Sequence, residues 1–228
     1  DIEIVAGKAP KGMSDFSCGS DGIGSDFVIS GEPLEKGYFF FTVKYTKEDG
    51  ITSCTRAYEC EVTPPTDTVF YEDFEEGIDN WKTVDLNGDG YNWESSALTS
   101  YEGNLCLKSD SYVIGVGPLV PDNLIISPEF KVGKGSYLSW YDCAHNPSFP
   151  KESYSVYIGT GTDISNYTLL TDFMTTKNWS RREVNLSDYA GQTLSIAFRH
   201  CDTTDQFALK IDLVSATKGE EEPLEVIN

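Results

Sequence analysis

The chain has 228 residues, 39% hydrophobic and 13% aromatic, long enough for one large or two small domains in which Tyr and Phe carry much of the burial. Its 37 acidic and 17 basic residues leave a net charge of −20. That field repels phosphates, which excludes nucleic acid and anionic membrane surfaces as partners, and it favours cations, above all Ca²⁺, which takes carboxylate and carbonyl oxygens.

In chain order, position 1 falls on an acidic, strand-like run with no basic-then-apolar leader, which points to a mature chain whose targeting segment is gone. Strand-like runs follow at Phe27–Ser30, Tyr38–Tyr45, Ala57–Val62, Thr68–Phe74, Leu105–Lys108, Asn123–Ile126, Tyr137–Tyr141, Ser153–Ile158, Arg182–Asn185, Leu194–Arg199 and Ala208–Leu213. Each is rich in β-branched or aromatic residues and bounded by Gly, Pro, Asn, Asp or Ser. No window of helical length carries a 3.6-residue apolar stripe, and no run approaches the roughly 20 apolar residues that cross a bilayer. The predicted class is all-β, a sandwich or barrel.

Thr63-Pro64-Pro65-Thr66 reads as a boundary, because two prolines cannot donate to a ladder and favour an extended spacer. The part before it ends in a long hairpin, Gly37–Tyr45 with Thr52–Val62, turning at Glu48-Asp49-Gly50. It suits a small immunoglobulin-like β module over residues 1–66, short for a complete one, with Asp15–Gly31 Gly- and Ser-rich and irregular. Residues 67–218 form the second domain, and the acidic tail 219–228 reads as a solvated linker to a further domain. The acidic excess is concentrated after the boundary, where 26 of the 37 acidic and 11 of the 17 basic residues lie.

The sharpest local motif is Asp85-Leu-Asn87-Gly-Asp89-Gly90-Tyr91. Side-chain oxygens fall at positions 1, 3 and 5, glycine at 6, and position 7 offers a main-chain carbonyl, which is the first half of the DxNxDG calcium loop. The same residues also make a metal-free turn between strands; the spacing favours Ca²⁺. The loop departs from an EF-hand, since position 12 is Ser96 and no helices flank it, so further ligands must come from elsewhere, with Ser100–Leu105 nearest in sequence. A second cluster is Tyr71-Glu-Asp73-Phe74-Glu75-Glu76. On a strand, Asp73 and Glu75 would share one face and repel unless a cation sat between them, while Phe74 would point into the core. A charged edge strand explains the same pattern, and the two readings stand level.

Of six cysteines, none forms a CxxC, and Cys54 and Cys60 are close enough for a bridge across adjacent strands. There is no GxSxG, HExxH or phosphate-cradling glycine loop. A Cys201–His145 pair is conceivable, but Cys201 has no nucleophile motif around it. Trp81, Trp93 and Trp140 read as core. Trp179, in a polar stretch, is the best surface aromatic. Asn166, Asn178 and Asn185 each open an N-x-S/T acceptor pattern.

An ordered set of pieces then carries a family resemblance: Phe70-Tyr-Glu-Asp-Phe-Glu-Glu-Gly77, Trp81, Asp85–Gly90 with Trp93, Pro121-Asp-Asn-Leu-Ile-Ile-Ser-Pro128, Leu138-Ser-Trp140, Cys143-Ala144, Ala197-Phe-Arg-His200, Thr204-Asp-Gln-Phe207 and Ile211-Asp212. Phe70–Thr217 resembles the cleaved-adhesin domain, the haemagglutinin/adhesin module of gingipain-type secreted proteins. The resemblance implies a jelly-roll β-sandwich with bound Ca²⁺. It implies one site at Asp85, Asn87, Asp89 and the carbonyl of Tyr91, with Asn87 replacing a more usual Asp. It implies a second at Asp73, Glu75, Asp212 and the main chain of Cys143, where a following acid of relatives is Leu213 here. A buried Asp212 in the apolar run Ala208–Val214 would be costly unless paired or metal-bound, which agrees. The expected function is a non-catalytic, calcium-binding adhesin module of a secreted or surface-anchored bacterial protein. It would be part of a larger multidomain chain and engage a host extracellular protein or glycan without membrane insertion. The alternative is a carbohydrate-binding or spacer domain accessory to a larger secreted hydrolase or protease.

Overall fold

The computed structural model describes residues 2–10, 13–20, 25–31, 37–46, 50–51, 53–62 and 68–219. The Pro-Pro boundary, Glu48-Asp49 of the predicted turn and the acidic tail from Glu220 lie outside them. Two compact units emerge, Asp1–Thr66 and Asp67–Asn228.

The first unit holds β1 (Ile2–Gly7), β2 (Met13–Ser20), β3 (Ser25–Gly31), β4 (Gly37–Thr46) and β5 (Ser53–Val62). β1, β4 and β5 form an antiparallel sheet in that order, and β2 pairs with β3 as a separate hairpin. The Gly- and Ser-rich stretch read as irregular is thus that hairpin, ordered by backbone pairing rather than by a side-chain pattern. Phe41 and Val43 are buried, and Phe41 stacks on Tyr58. Gly7 sits at φ +73 where a Cβ would stand 2.0 Å from the Phe40 carbonyl, so only glycine fits. The Cys54–Cys60 bridge that their spacing allowed does not form. Both cysteines lie on β5, opposite Tyr45 and Phe39, and both are free. Neighbours six apart on one strand are roughly 20 Å apart, far beyond disulfide reach.

The second unit holds β6 (Thr68–Glu72), β7 (Lys82–Asp85), β8 (Glu94–Ser96), β9 (Cys106–Asp110), β10 (Tyr112–Val113), β11 (Gly117–Pro118), β12 (Asn123–Ile126), β13 (Phe130–Lys131), β14 (Tyr137–Ala144), β15 (Ser153–Gly159), β16 (Tyr167–Met174), β17 (Ser180–Asn185), β18 (Thr193–His200) and β19 (Ala208–Thr217). Two six-stranded sheets face each other. One runs β16-β15-β18-β12-β7 with β13 beside β18; the other runs β17-β14-β19-β9-β8 with β6 beside β19. This is a jelly-roll β-sandwich. Its core interdigitates Ile125, Val156, Ile196 and Phe198 of the first sheet with Leu107, Leu138, Trp140, Leu209 and Ile211 of the second. Trp81, Trp93 and Trp140 are buried as expected, and Trp140 sets its ring edge against Phe198 and Phe173.

Two backbone irregularities position the acidic residues. β19 carries a bulge: Ser139 opposes Ser215 and Tyr141 opposes Asp212, so β19 spends one extra residue, with Leu213 at φ +49. Leu209 and Ile211 face the core before the bulge, and Val214 and Ala216 after it. Alternation with Ile211 already puts Asp212 on the outer face, and the extra residue after it returns Val214 and Ala216 to the core. β6 stops at Glu72, and Phe74 follows at φ +60. Asp73 and Glu75 are therefore not on one strand face, as the sequence suggested. The Glu72 carboxylate accepts from Phe74 N (2.8 Å) and Trp81 Nε1 (3.1 Å), which stops the strand and turns the chain while Phe74 still drops into the core.

Candidate metal centres

The Asp85–Tyr91 loop leaves the end of β7 and folds on itself. Asp85 accepts from Gly88 N (2.7 Å) and Gly90 N (2.9 Å), and Asp89 accepts from Tyr91 N (2.9 Å). The Gly90 amide leads in holding the Asp85 carboxyl below its ordinary value, although the group is open to water. Asn87 donates to Asp89 (3.1 Å) and to the Val120 carbonyl (2.9 Å), while Leu86 N donates to the Asp122 carbonyl (2.9 Å). The loop is thus braced by residues 120–122 and not by Ser100–Leu105. That correction follows from topology, since β7 pairs with β12 and brings the residues just before β12 against the loop.

Ser100–Leu105 instead wraps the second cluster. Asp212, fully buried, accepts from Tyr101 N (2.9 Å), Glu102 N (3.1 Å) and Leu213 N (2.8 Å). Glu75 accepts from Asn104 N (2.8 Å) and Leu105 N (2.7 Å). A Cβ on Gly103 would stand 2.2 Å from Glu75 Oε1, so this residue lets the loop close on the carboxylate. Tyr101 stacks on Tyr141 at 3.8 Å between centroids and meets Trp179 edge-on, which makes Trp179 part of the loop's seat. Asp73 (6% exposed) and Glu102 (2%) complete the set. Burial, and then Asp73, Glu102 and Asp212, drive the Tyr71 hydroxyl far above its ordinary range. Burial pushes the Asp212 carboxyl up to about 7. The neighbouring Lys210 ammonium is committed elsewhere, to the Thr99 carbonyl (2.7 Å) and the face of Trp179. Cys143 lies on β14 opposite Lys210, two residues beyond Tyr141, with its thiol raised to about 11 by burial. Glu102 is the member that sequence reading missed. Nothing in Ser100-Tyr-Glu-Gly-Asn marks it, because its burial comes from the loop closing on β19.

Among the described residues, no three His, Cys, Asp or Glu side chains are gathered closely enough to hold a metal ion by themselves. The donor chemistry of both regions is nonetheless all oxygen, the set a hard cation takes, and the second cluster is largely buried.

A third polar group is sealed. His200 bonds Ser109 Oγ (2.8 Å) and Glu152 (3.1 Å), Ser111 donates to Glu152 (2.9 Å), and Asn123 donates to Ser109 (3.1 Å). Ser109, Ser111, Asn123, Glu152 and His200 are all 0% exposed, so this Ser–His–Glu set ties the two sheets together out of reach of any substrate. Cys201 lies beside Ser155 on one sheet, and His145 lies among Lys210, Lys108 and Asp110 on the other, so they form no catalytic pair.

The sequence model of the Cleaved Adhesin Domain family matches residues 67–216. Gingipain R1 of Porphyromonas gingivalis is 31% identical over 94% of this chain, and Lys-gingipain of the same organism 36% identical over 64%. Hemagglutinin A of Porphyromonas gingivalis is 35% identical over 66% of the chain. The chain spans 14%, 10% and 7% of those three relatives. Among solved structures, the K3 cleaved adhesin domain of Lys-gingipain matches with a TM-score of 0.62 and 33% identity, covering 67% of this chain and 98% of that one. The K1 domain of the same protein matches at 0.60 and 32%, covering 65% and 96%.

Proposed function

The chain belongs to the Cleaved Adhesin Domain family, and from that premise we propose that it is a non-catalytic binding module of a larger secreted or surface-anchored bacterial protein, engaging a host extracellular protein or glycan. The observation that carries the reading is the match of residues 67–216, two-thirds of the chain, to an adhesin family. The sealed state of the His200–Glu152–Ser109 set supports it, since that set offers nothing to a substrate. Placement in a larger chain is supported by the small share of Gingipain R1 and Lys-gingipain that the chain spans.

The module carries Ca²⁺ at two places. One is held by Asp85, Asn87, Asp89 and the carbonyl of Tyr91. The other is held by Asp73, Glu75 and Asp212, joined by Glu102, with the Cys143 main chain adjoining. Ca²⁺ held there would draw the carboxylates together and tie the turn after β6, the Ser100–Leu105 loop and β19 into one unit. Calorimetric titration of the chelator-treated chain with Ca²⁺ tests this. Heat of binding and a melting temperature raised by several degrees in millimolar Ca²⁺ are expected, since about 1 kcal/mol moves the midpoint of a chain this size by roughly 2–4 °C. No heat and an unmoved midpoint would refute the calcium reading.

The alternative, a carbohydrate-binding or spacer domain accessory to a larger secreted hydrolase or protease, draws on the proteases among the relatives. Hydrolysis by this chain alone would overturn both.

A further inference from the structure

The outer face of the β16-β15-β18-β12-β7 sheet carries a groove of about 600 Å³ beside the Asp85–Tyr91 loop. Ser155, Tyr157, Asp172, Arg199 and Asp122 line it, with Asn87 of the Asp85–Tyr91 loop at one wall. The volume lies within the roughly 300–1,000 Å³ typical of small-ligand sites. A second hollow of about 380 Å³ shares Ser155, Asp172, Cys201 and Asp202 with it and continues toward Met174, so the depression is a trough along β15 and β16.

The trough is built rather than incidental. Arg199 is clamped flat by a bidentate pair with Asp122, at 2.6 and 2.8 Å, which fixes its guanidinium plane and leaves further N–H donors. Ser155 donates to Asp172 (2.6 Å), so that carboxylate is oriented with acceptor capacity to spare. Tyr157 is half-buried and packs against the apolar patch of Leu124, Ile126, Ala197 and Tyr167 on the same outer face. An aromatic body on an apolar floor thus borders rigid donors and acceptors, all but Asp122 carried on paired strands and so fixed in position. The lining carries Asp122, Asp172 and Asp202 against Arg199 alone, in a chain of net charge −20. That field rejects sulfated or sialylated ligands.

We propose that this trough, made by Tyr157, Ser155, Asp172 and the Arg199–Asp122 pair, binds a neutral oligosaccharide, whose ring faces are apolar and whose edges present hydroxyls. The inference rests on the binding-module reading and commits it to glycan at one place. Neutral hydroxyls can both donate to Asp172 and accept from Arg199, a double demand that an anionic or purely apolar ligand does not meet.

The test is an array of neutral, sialylated and sulfated oligosaccharides probed with the whole chain, followed by calorimetry on the best neutral ligand. Binding to at least one neutral oligosaccharide is expected. Arg199→Gln, Tyr157→Ala and Asp172→Ala should each weaken it by about tenfold or more, and Ile114→Ser, on the exposed β10–β11 hairpin, should leave it unchanged. Should Tyr157→Ala fail to fold, Arg199→Lys and Asp172→Ala, both at partly or fully exposed positions, decide. An array blank for neutral glycans, preference for the charged ones, or undiminished binding by both Arg199 and Asp172 variants overturns the proposal. Calcium titration of the same samples separates the two readings: a blank array with Ca²⁺ binding intact defeats the trough alone.

Discussion

The two acidic regions differ in how their charge is held. The Asp85–Tyr91 loop is local and solvated, and its carboxylates accept from amides within five residues. The Asp73–Glu75–Glu102–Asp212 cluster is assembled from three segments more than 25 residues apart and is largely buried. Water already supports the first, so a metal adds affinity but little to the fold. The second stands in a desolvated place, where a carboxylate needs a proton, an N–H donor or a cation. The same residue type therefore titrates in opposite directions in one domain: Asp85 is held down by amides, and Asp212 is pushed up by burial.

The largest effect expected from this contrast is that of Asp212→Ala. It strands the N–H groups of Tyr101, Glu102 and Leu213, at a cost of about 3 kcal/mol or more. Thermal melts in chelator should then fall by roughly 6–12 °C. A drop no larger than that of Asp85→Ala would mean that the two regions do not differ.

Next comes pH. Asp212 titrates near 7 in the fold and from 3.8 in its unperturbed state. Between those values the folded chain holds a proton that the unfolded chain has released. Its contribution to stability is therefore full below about pH 4 and is lost as pH rises to about 7. Asp85 works in reverse, contributing above about pH 4 and losing that contribution as pH falls. In chelator, melts from pH 4 to 8 should decline more steeply in the parent chain than in Asp212→Asn; parallel curves would refute the buried-acid account. Ca²⁺ affinity at this cluster should rise with pH over the same window, because binding displaces the proton.

Gly103→Ala should act more modestly, by about 1–2 kcal/mol, since its Cβ meets Glu75 and its φ of +54 disfavours alanine. It should also weaken the cluster's calorimetric Ca²⁺ step while sparing the other. Smallest is Asp85→Ala, which should remove one Ca²⁺ step with the least change in melting temperature; loss of both steps would show that the sites are coupled.

Much of the sandwich was legible because its strands, rich in β-branched and aromatic residues, contrast with the turn residues that bound them. Asn123–Ile126 falls on the predicted residues, and most of the other predicted runs of the second unit sit within observed strands. Strands without that contrast escaped notice. β2 is Gly- and Ser-rich, and β16 exposes half of its residues at the sheet edge. Whether Cys54 and Cys60 pair stayed open because proximity in sequence does not say whether a turn intervenes, and here both sit on one strand.

The order of motifs, the all-β class, the excess of acid and the DxNxDG spacing are properties of neighbours along the chain, and sequence by itself determined them. Only the tertiary structure decided that Glu102 joins Asp73, Glu75 and Asp212, that the Ser100–Leu105 loop serves this cluster and not Asp85, and that Arg199 is clamped over a trough. The physical reason is that burial and electrostatic field depend on which segments fold back on one another. A bulge at Leu213 and a turn at Phe74 set that geometry, and neither leaves a periodic trace in the residues that surround it.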